Sequence, residues 1–166
     1  MGDTTAEIAR AHPETDFVAV EVHGPGVGSL LNRIEQEGLS NLRVVRHDAV
    51  EVLERMVADG ALAAIHIFFP DPWPKKRHHK RRLIQPEFVA LAVRKLAPGG
   101  VLHLATDWPD YAVHMDAVLS QDPGLVSASK GLVERPTTKF ERRGVRLGHP
   151  IRDLYFQRRE SASAGR

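Results

Sequence analysis

The sequence predicts an α/β protein built on a doubly wound, Rossmann-like sheet. Short apolar runs rich in β-branched residues alternate with segments of helical spacing, as in strands joined by crossover helices. Four of these runs are followed closely by an acidic residue, and such sheets bind ligands beyond the carboxyl ends of their strands. The last apolar segment alternates like an antiparallel strand, so the sheet is expected to be mostly parallel with an antiparallel last strand.

The elements alternate regularly along the chain. A first helix is predicted over Ala6 to His12, capped by Thr4 or Thr5 and closed by Pro13. The later helices are predicted at residues 29–37, 50–58, 86–96 and 111–119. The strands are predicted at residues 17–22, 42–46, 63–69, 101–105 and 151–158.

Two glycine-rich segments are interpreted as breaks between these helices and strands. Gly24, Gly26 and Gly28 lack the spacing of a phosphate-binding loop and are interpreted as turn residues. The segment Pro98-Gly99-Gly100 is expected to end a helix before the strand at Val101.

Length and composition favour one cytoplasmic domain. The 166 residues suit a single domain, predicted at residues 1–159, followed by a polar tail at residues 160–166 that is expected to be disordered. The chain has no cysteine, which excludes disulfides and thiolate metal sites, and its nine histidines show no metal spacing, so no metal is predicted. No apolar run approaches the roughly 18 residues of a membrane helix, so no membrane partner is expected.

The charge is unevenly placed rather than large. Lys and Arg outnumber Asp and Glu by only 23 to 21, yet six of those 23 cations lie between Lys75 and Arg82. Such clustering is typical of a phosphate-binding surface, although many charge runs are simply solvated. Residue types alone leave both interpretations open.

Two acidic residues follow the first two strands. Glu21, before the glycine-rich segment, is placed to bind the ribose hydroxyls of a nucleotide-like cofactor, or else is a turn carboxylate. Asp48 precedes a helix, so it is either an N-cap or an acceptor for an adenine amino group.

Asp71 stands between Pro70 and Pro72 at the end of the third strand. Because each proline fixes its own φ and restricts the preceding residue, the segment is expected to be a stiff, extended turn. A carboxylate held there suits a contact with the N–H groups of guanine. Trp73 is either a stacking platform for a base or part of the core.

Several motifs together resemble one known family. They are Phe68–Lys75 with the cations that follow it, Thr106-Asp107-Trp108, Thr138-Lys139-Phe140-Glu141, Gly144 and Asp153-Leu154. In this order, over nearly the whole chain, they resemble bacterial tRNA (guanine-N(7)-)-methyltransferase. The resemblance implies a class I methyltransferase sheet and transfer of a methyl group from S-adenosyl-L-methionine to N7 of a guanosine in the tRNA variable loop, releasing S-adenosyl-L-homocysteine.

The resemblance also implies roles for individual residues. Asp71 would be the catalytic residue, touching both cofactor and base, while Glu21 and Asp48 would bind the cofactor. The implied substrate contacts are Lys75, Asp107, Thr138, Lys139, Phe140 and Glu141. The implied RNA contacts are Arg77, His78, His79, Lys80, Arg81 and Arg82. Besides tRNA no obligatory partner is expected, and the protein is expected to be a monomer or a homodimer.

One family feature is missing from this sequence. The family's first strand and its glycine-rich loop are absent, and Met1-Gly2-Asp3 is similar to the end of that loop. We therefore expect the natural protein to start upstream. If the chain as given is complete, weak cofactor binding and low stability are expected, and the alternative function is a non-catalytic RNA-binding module.

Overall fold

The computed structural model describes residues 2–136 and 150–160, with side chains from residue 4 onward. The chain divides into two compact units. The N-terminal unit is Met1–Met56 with Val133–Lys139, and the C-terminal unit is Val57–Leu132 with Phe140–Arg166. The single-domain interpretation stays a prediction.

The N-terminal unit packs helices against a two-stranded parallel sheet. Its elements are α1 (Gly2–Ala11), β1 (Phe17–Val20), α2 (Gly24–Glu37), β2 (Leu42–Val45) and α3 (Ala49–Met56). Residues of β1 pair in register with those of β2, from Phe17 opposite Leu42 to Val20 opposite Val45. The core is formed by α1, α2 and β2 through Ala6, Ala9, Leu30 and Leu42.

Three predictions for this unit are corrected. Helix α1 begins at Gly2, so Thr4 and Thr5 lie inside it and are not its caps. The glycines 24, 26 and 28 belong to the first turns of α2, where Pro25 occupies a position that tolerates its missing N–H. The strand predicted at residues 17–22 ends at Val20, and its residue Val18 is 61% exposed.

The C-terminal unit is a four-stranded mixed sheet with two helices. Its elements are β3 (Leu62–Phe68), a 3-10 helix (Lys76–Arg81), α4 (Pro86–Lys95), β4 (Leu96–Thr106), α5 (Pro109–Gln121), β5 (Leu125–Ser127) and β6 (Arg152–Arg158). The strand order is β3-β4-β6-β5, with β3 parallel to β4 and β6 antiparallel to both of its neighbours. Both helices contact β4, and the unit's core comes from Leu102, Leu104, Val89, Met115 and Phe156.

The antiparallel last strand is confirmed, but it is not at the edge. The short strand β5, which was not predicted, pairs with the far side of β6. The segment Pro98-Gly99-Gly100 also differs from expectation, because it lies within β4 rather than ending a helix. A Cβ on Gly100 would lie 2.8 Å from the Ala97 carbonyl oxygen and 3.1 Å from that of Leu62, so only glycine fits this approach.

Aromatic and imidazole rings occupy one face of this sheet. His66, His103 and Tyr155 are cross-strand neighbours in register. Nε2 of His103, which is fully buried, lies 2.8 Å from Oδ1 of Asp153, while Nε2 of His66 has no hydrogen-bond partner among the described residues. Burial, with a smaller effect from His103, lowers the pKa of His66 to about 4.

Candidate functional site

Glu21 lies at the carboxyl edge of the sheet in the N-terminal unit. Its backbone N–H extends the ladder by donating to the Val45 carbonyl oxygen at 3.1 Å. The side chain turns back, with Oε2 accepting from the Val22 N–H at 3.0 Å. The other oxygen, Oε1, lies over Gly26 in the first turn of α2, where a Cβ would approach it to 3.1 Å. Glycine here leaves room for this carboxylate.

Asp48 lies at the same edge, after the neighbouring strand β2. Its Oδ1 accepts from the Glu51 N–H at 3.1 Å, and its carbonyl oxygen accepts from the Val52 N–H at 3.0 Å. Asp48 therefore caps α3, which was one of the two roles predicted for it. Capping uses one carboxylate oxygen, and the exposed side chain leaves the other available.

Asp71 and Asp107 lie together at the carboxyl edge of the sheet in the C-terminal unit. They follow β3 and β4, which are adjacent and parallel, with Phe68 paired to Ala105. The Phe69 N–H continues this ladder by donating to the Ala105 carbonyl oxygen at 2.8 Å. Each acid therefore follows the end of its strand by only a few residues, at the same edge of the sheet. Asp71 is exposed and Asp107 is half-buried.

The turn that carries Asp71, residues 69–73, begins and ends with a residue of positive φ. Phe69 and Trp73 have φ values of 55° and 43°, in the left-handed region that side chains disfavour. The two residues with positive φ flank Pro70-Asp71-Pro72, the segment predicted to be an extended turn. The turn is closed by Asp71 itself, whose Oδ1 accepts from the Trp73 N–H at 2.9 Å. Backbone strain of this kind is common in functional sites.

The cations after this turn form a 3-10 helix, which the sequence did not predict. The side chains of Lys75, Lys76, Arg77, Lys80 and Arg81 are exposed. The guanidinium of Arg81 lies 5.2 Å from the ring centroid of Trp73, and the ring of His78 meets that indole edge-on at 5.9 Å. His79 is half-buried. We call the residues from Lys75 to Arg81 the basic arm.

Arg82 differs from the other cations because its side chain is only 1% exposed. Its Nε donates to the Pro72 carbonyl oxygen at 2.7 Å, and its Nη2 donates to Oδ2 of Asp110 at 2.7 Å. The guanidinium also lies 4.6 Å from the ring centroid of Tyr111. The hydrogen bond and charge of Arg82 hold the pKa of Asp110 below its usual value. This burial leaves Arg82 unsuited to the RNA contact predicted for it.

The remaining predicted site residues lie outside the described part of the chain. These are Thr138, Lys139, Phe140 and Glu141. Among the residues that are described, no group of three or more His, Asp or Glu side chains is placed to hold a metal ion. The described helices also include none long and apolar enough to cross a membrane.

Sequence comparison identifies the family. A family model described as "Putative methyltransferase" matches residues 1–154. The tRNA (guanine-N(7)-)-methyltransferase of Nitrosomonas eutropha is 59% identical over 160 residues, which are 94% of this chain and 71% of that protein. The chain belongs to the tRNA (guanine-N(7)-)-methyltransferase family. Family members from Nitrosomonas europaea and Bordetella pertussis are 58% and 59% identical, and matches cover 95% of this chain and 72% and 64% of those proteins.

Solved structures agree on the fold of this family member. TrmN from Thermus thermophilus gives a TM-score of 0.64 at 20% identity, covering 93% of this chain and 40% of that one. Precorrin-6y C5,15-methyltransferase from Geobacter metallireducens gives 0.62 at 16% identity, covering 93% and 74%. The N-methyltransferase NodS from Bradyrhizobium japonicum in complex with S-adenosyl-l-homocysteine gives 0.57 at 13%, covering 87% and 67%. The α/β Rossmann-like methyltransferase fold is confirmed.

Sequence reasoning missed two residues beside the candidate site. Asp110 and Tyr111 lie in the first turn of α5 and contact Arg82, but neither belongs to a motif identified in the sequence. A weak signal was present, because Arg82 directly precedes the apolar pair Leu83-Ile84, where a fully solvated cation is less expected.

Proposed function

We propose that this family member transfers a methyl group from S-adenosyl-L-methionine to N7 of a guanosine in the variable loop of tRNA. The observation that carries the proposal is the turn around Asp71, where one carboxylate is held rigidly at the sheet edge and a basic arm follows directly. The match to curated tRNA (guanine-N(7)-)-methyltransferases at 59% identity supports the same reaction.

The carboxylates of the N-terminal unit have the chemistry that S-adenosyl-L-methionine requires. Ribose hydroxyls and the adenine amino group are hydrogen-bond donors, and they need acceptors. Oε1 of Glu21 lies over Gly26, and Asp48 has one carboxylate oxygen that its capping hydrogen bond does not use. We therefore assign Glu21 to the ribose and Asp48 to the adenine. The bound cofactor supplies an electrophilic methyl group on a positively charged sulfur.

Asp71 acts by position and charge rather than as a general base. Guanine N7 carries a lone pair and no proton, so the base attacks without being deprotonated, and alignment is the main requirement. With Oδ1 fixed by the Trp73 N–H, the remaining oxygen of Asp71 has a defined direction in which to accept a guanine N–H or to contact the methyl donor. Its negative charge also stabilises the positive charge that guanine gains as the methyl is transferred.

The exposed cations and Asp107 complete the proposed site in the C-terminal unit. Lys75 and Asp107 are assigned to the substrate, and Arg77, His78, His79, Lys80 and Arg81 to the tRNA backbone. Phosphate contacts of this kind position a nucleic acid without reading its sequence. Thr138, Lys139, Phe140 and Glu141 keep their predicted role as substrate contacts.

Methyl incorporation into unmodified tRNA tests the proposal. We expect Asp71→Ala to lower the rate at least about 100-fold, because the aligned charge is lost, and to leave tRNA affinity within about twofold. The matched variant Lys80→Met with Arg81→Met should instead weaken tRNA binding and lower the salt slope of log K by roughly 0.7–0.9 per cation removed.

The two variants separate the possible outcomes. If Asp71→Ala kept full activity, the assignment of Asp71 would fail. If the wild-type protein bound tRNA through the basic arm but transferred no methyl group, it would be a non-catalytic RNA-binding module. If the arm variant bound tRNA with unchanged affinity and salt slope, the basic arm would be solvated surface.

A further inference from the structure

We infer that Arg82 is a positioning residue for methyl transfer, which holds the Asp71 turn in its reactive shape rather than binding tRNA. This inference rests on the proposed function. It begins with burial, since Arg82 follows Lys80 and Arg81, which are exposed, yet only 3% of Arg82 is accessible. Burying a guanidinium is costly unless its N–H groups are satisfied, so its contacts indicate its role.

The first contact fixes a peptide group of the Asp71 turn. Asp71 Oδ1 accepts from the N–H of Trp73, and Arg82 Nε donates to the carbonyl oxygen of Pro72. These two atoms belong to the same peptide unit, between Pro72 and Trp73. That peptide is therefore held from both sides, and rotating it would break both hydrogen bonds. Arg82 opposes such a rotation and so keeps the Asp71 carboxylate in place.

The same peptide leads into a strained residue. Trp73 has a φ of 43°, which is unfavourable for a side chain of its size. Such a conformation persists only where surrounding contacts require it. The hydrogen bond from Arg82 to Pro72 supplies one of these contacts, so its loss should let Trp73 relax and carry Asp71 with it.

The second contact ties this turn to the start of α5. Nη2 of Arg82 donates to Asp110, which lies in the first turn of α5, three residues after Asp107. The guanidinium also lies over the ring of Tyr111, whose hydroxyl accepts from the Ile84 N–H at 3.2 Å. Arg82 thus links the turn that carries Asp71 to the first turn of α5, which follows Asp107 closely in the chain. A lysine could not make both hydrogen bonds and stack on the ring, because its single ammonium lacks the planar fork.

Steady-state kinetics distinguish positioning from RNA binding. We expect Arg82→Lys to lower kcat about 10- to 100-fold while the KM and salt slope for tRNA stay within twofold, because misalignment affects the reacting step. Lys80→Met, which removes an exposed cation of the basic arm, should raise the KM for tRNA and lower the salt slope with kcat retained. If Arg82→Lys instead behaved like Lys80→Met, or left kcat unchanged, the inference would be overturned.

A second variant covers the case in which Arg82→Lys fails to fold. Asp110 is 61% exposed, so Asp110→Asn should preserve the fold while weakening the link to Arg82. We expect it to lower kcat about threefold to tenfold with the KM for tRNA unchanged. Full retention of kcat in a folded Asp110→Asn would contradict a positioning role.

A fluorescence measurement tests the inference independently of activity. The chain has two tryptophans, so Trp108→Phe leaves Trp73 as the only indole reporter. In that background, Arg82→Met should increase the acrylamide quenching of Trp73 at least about 1.5-fold. Lys80→Met should not, because the Lys80 side chain is exposed and the hydrogen bonds that hold the turn come from Asp71 and Arg82. If the wild-type protein transferred no methyl to tRNA, the proposed function would fail, and this quenching alone would decide whether Arg82 holds the turn. Unchanged quenching would overturn that role.

Discussion

At the scale of single residues, the candidate site depends on how each carboxylate is held. Asp71 and Asp48 each use one oxygen to accept a backbone N–H and keep the other available. The sequence identified these acids because strand ends are visible in it. It did not reveal that Arg82 is buried, because burial depends on Asp110 and Tyr111, which lie almost 30 residues further along the chain.

His66 gives the protein a pH-dependent stability. Its pKa is about 4 in the folded state against about 6.5 unfolded, so the unfolded chain binds more protons between these values. Stability should therefore be complete above about pH 6.5 and fall as the pH drops toward 4. Lowering the pH from 7.5 to 4.5 should cost the wild type about 2 to 3 kcal/mol through this group, measured by urea unfolding with tryptophan fluorescence.

The variant His66→Phe is the control for that loss. Phenylalanine preserves the ring that stacks on Phe68 at 5.4 Å but cannot be protonated. Because the variant lacks this loss, the stability of the wild type relative to His66→Phe should fall by about 2 to 3 kcal/mol between pH 7.5 and pH 4.5. Parallel pH dependence in the two proteins would exclude His66 as the source of the loss.

At the scale of elements, most strands and helices could be predicted because their periodicity is local. The main errors come from packing. Gly100 resembles a helix end in sequence, but in the fold it lets β4 approach backbone carbonyl oxygens. Strand β5 is only three residues long and exists because β6 offers it a partner. The 3-10 helix could not be predicted because its residues are cations and histidines with no apolar periodicity.

Helix α4 supplies an element-scale prediction through two neighbouring cations. Nζ of Lys95, whose side chain is 5% exposed, donates to the Val57 carbonyl oxygen at 2.7 Å and to Asp59 at 2.8 Å. Arg94 also reaches Asp59, at 3.3 Å, but both of those partners are exposed. Because Lys95→Met leaves a carbonyl group of Val57 without its donor, it should cost about 1–3 kcal/mol of unfolding free energy.

Arg94→Met is the matched control and should change stability by less than about 0.5 kcal/mol, as for other exposed ion pairs. Urea unfolding followed by tryptophan fluorescence reports on the relevant unit, because Trp73 and Trp108 both lie in the C-terminal unit. Equal losses of unfolding free energy in the two variants would show that the buried Lys95 contributes no more to stability than the exposed Arg94.

At the scale of the whole molecule, fold and family could be predicted from the sequence, whereas the division into two compact units could not. Motif order along the chain is a property of the sequence, and it led to the methyltransferase family that comparison confirms. Compactness depends on which strands pair, and β1 pairs with β2 while β3 pairs with β4. No local pattern distinguishes these two pairings from one continuous sheet.

The central claim is that the protein methylates N7 of a guanosine in the variable loop of tRNA. Methylation at N7 gives the base a positive charge and weakens its imidazole ring, so borohydride followed by aniline cleaves the RNA chain there. After incubation of unmodified tRNA with the protein and S-adenosyl-L-methionine, we predict one new cleavage in the variable loop, absent with Asp71→Ala. A methyl group found on another atom or in another loop, or no transfer at all, would contradict the account.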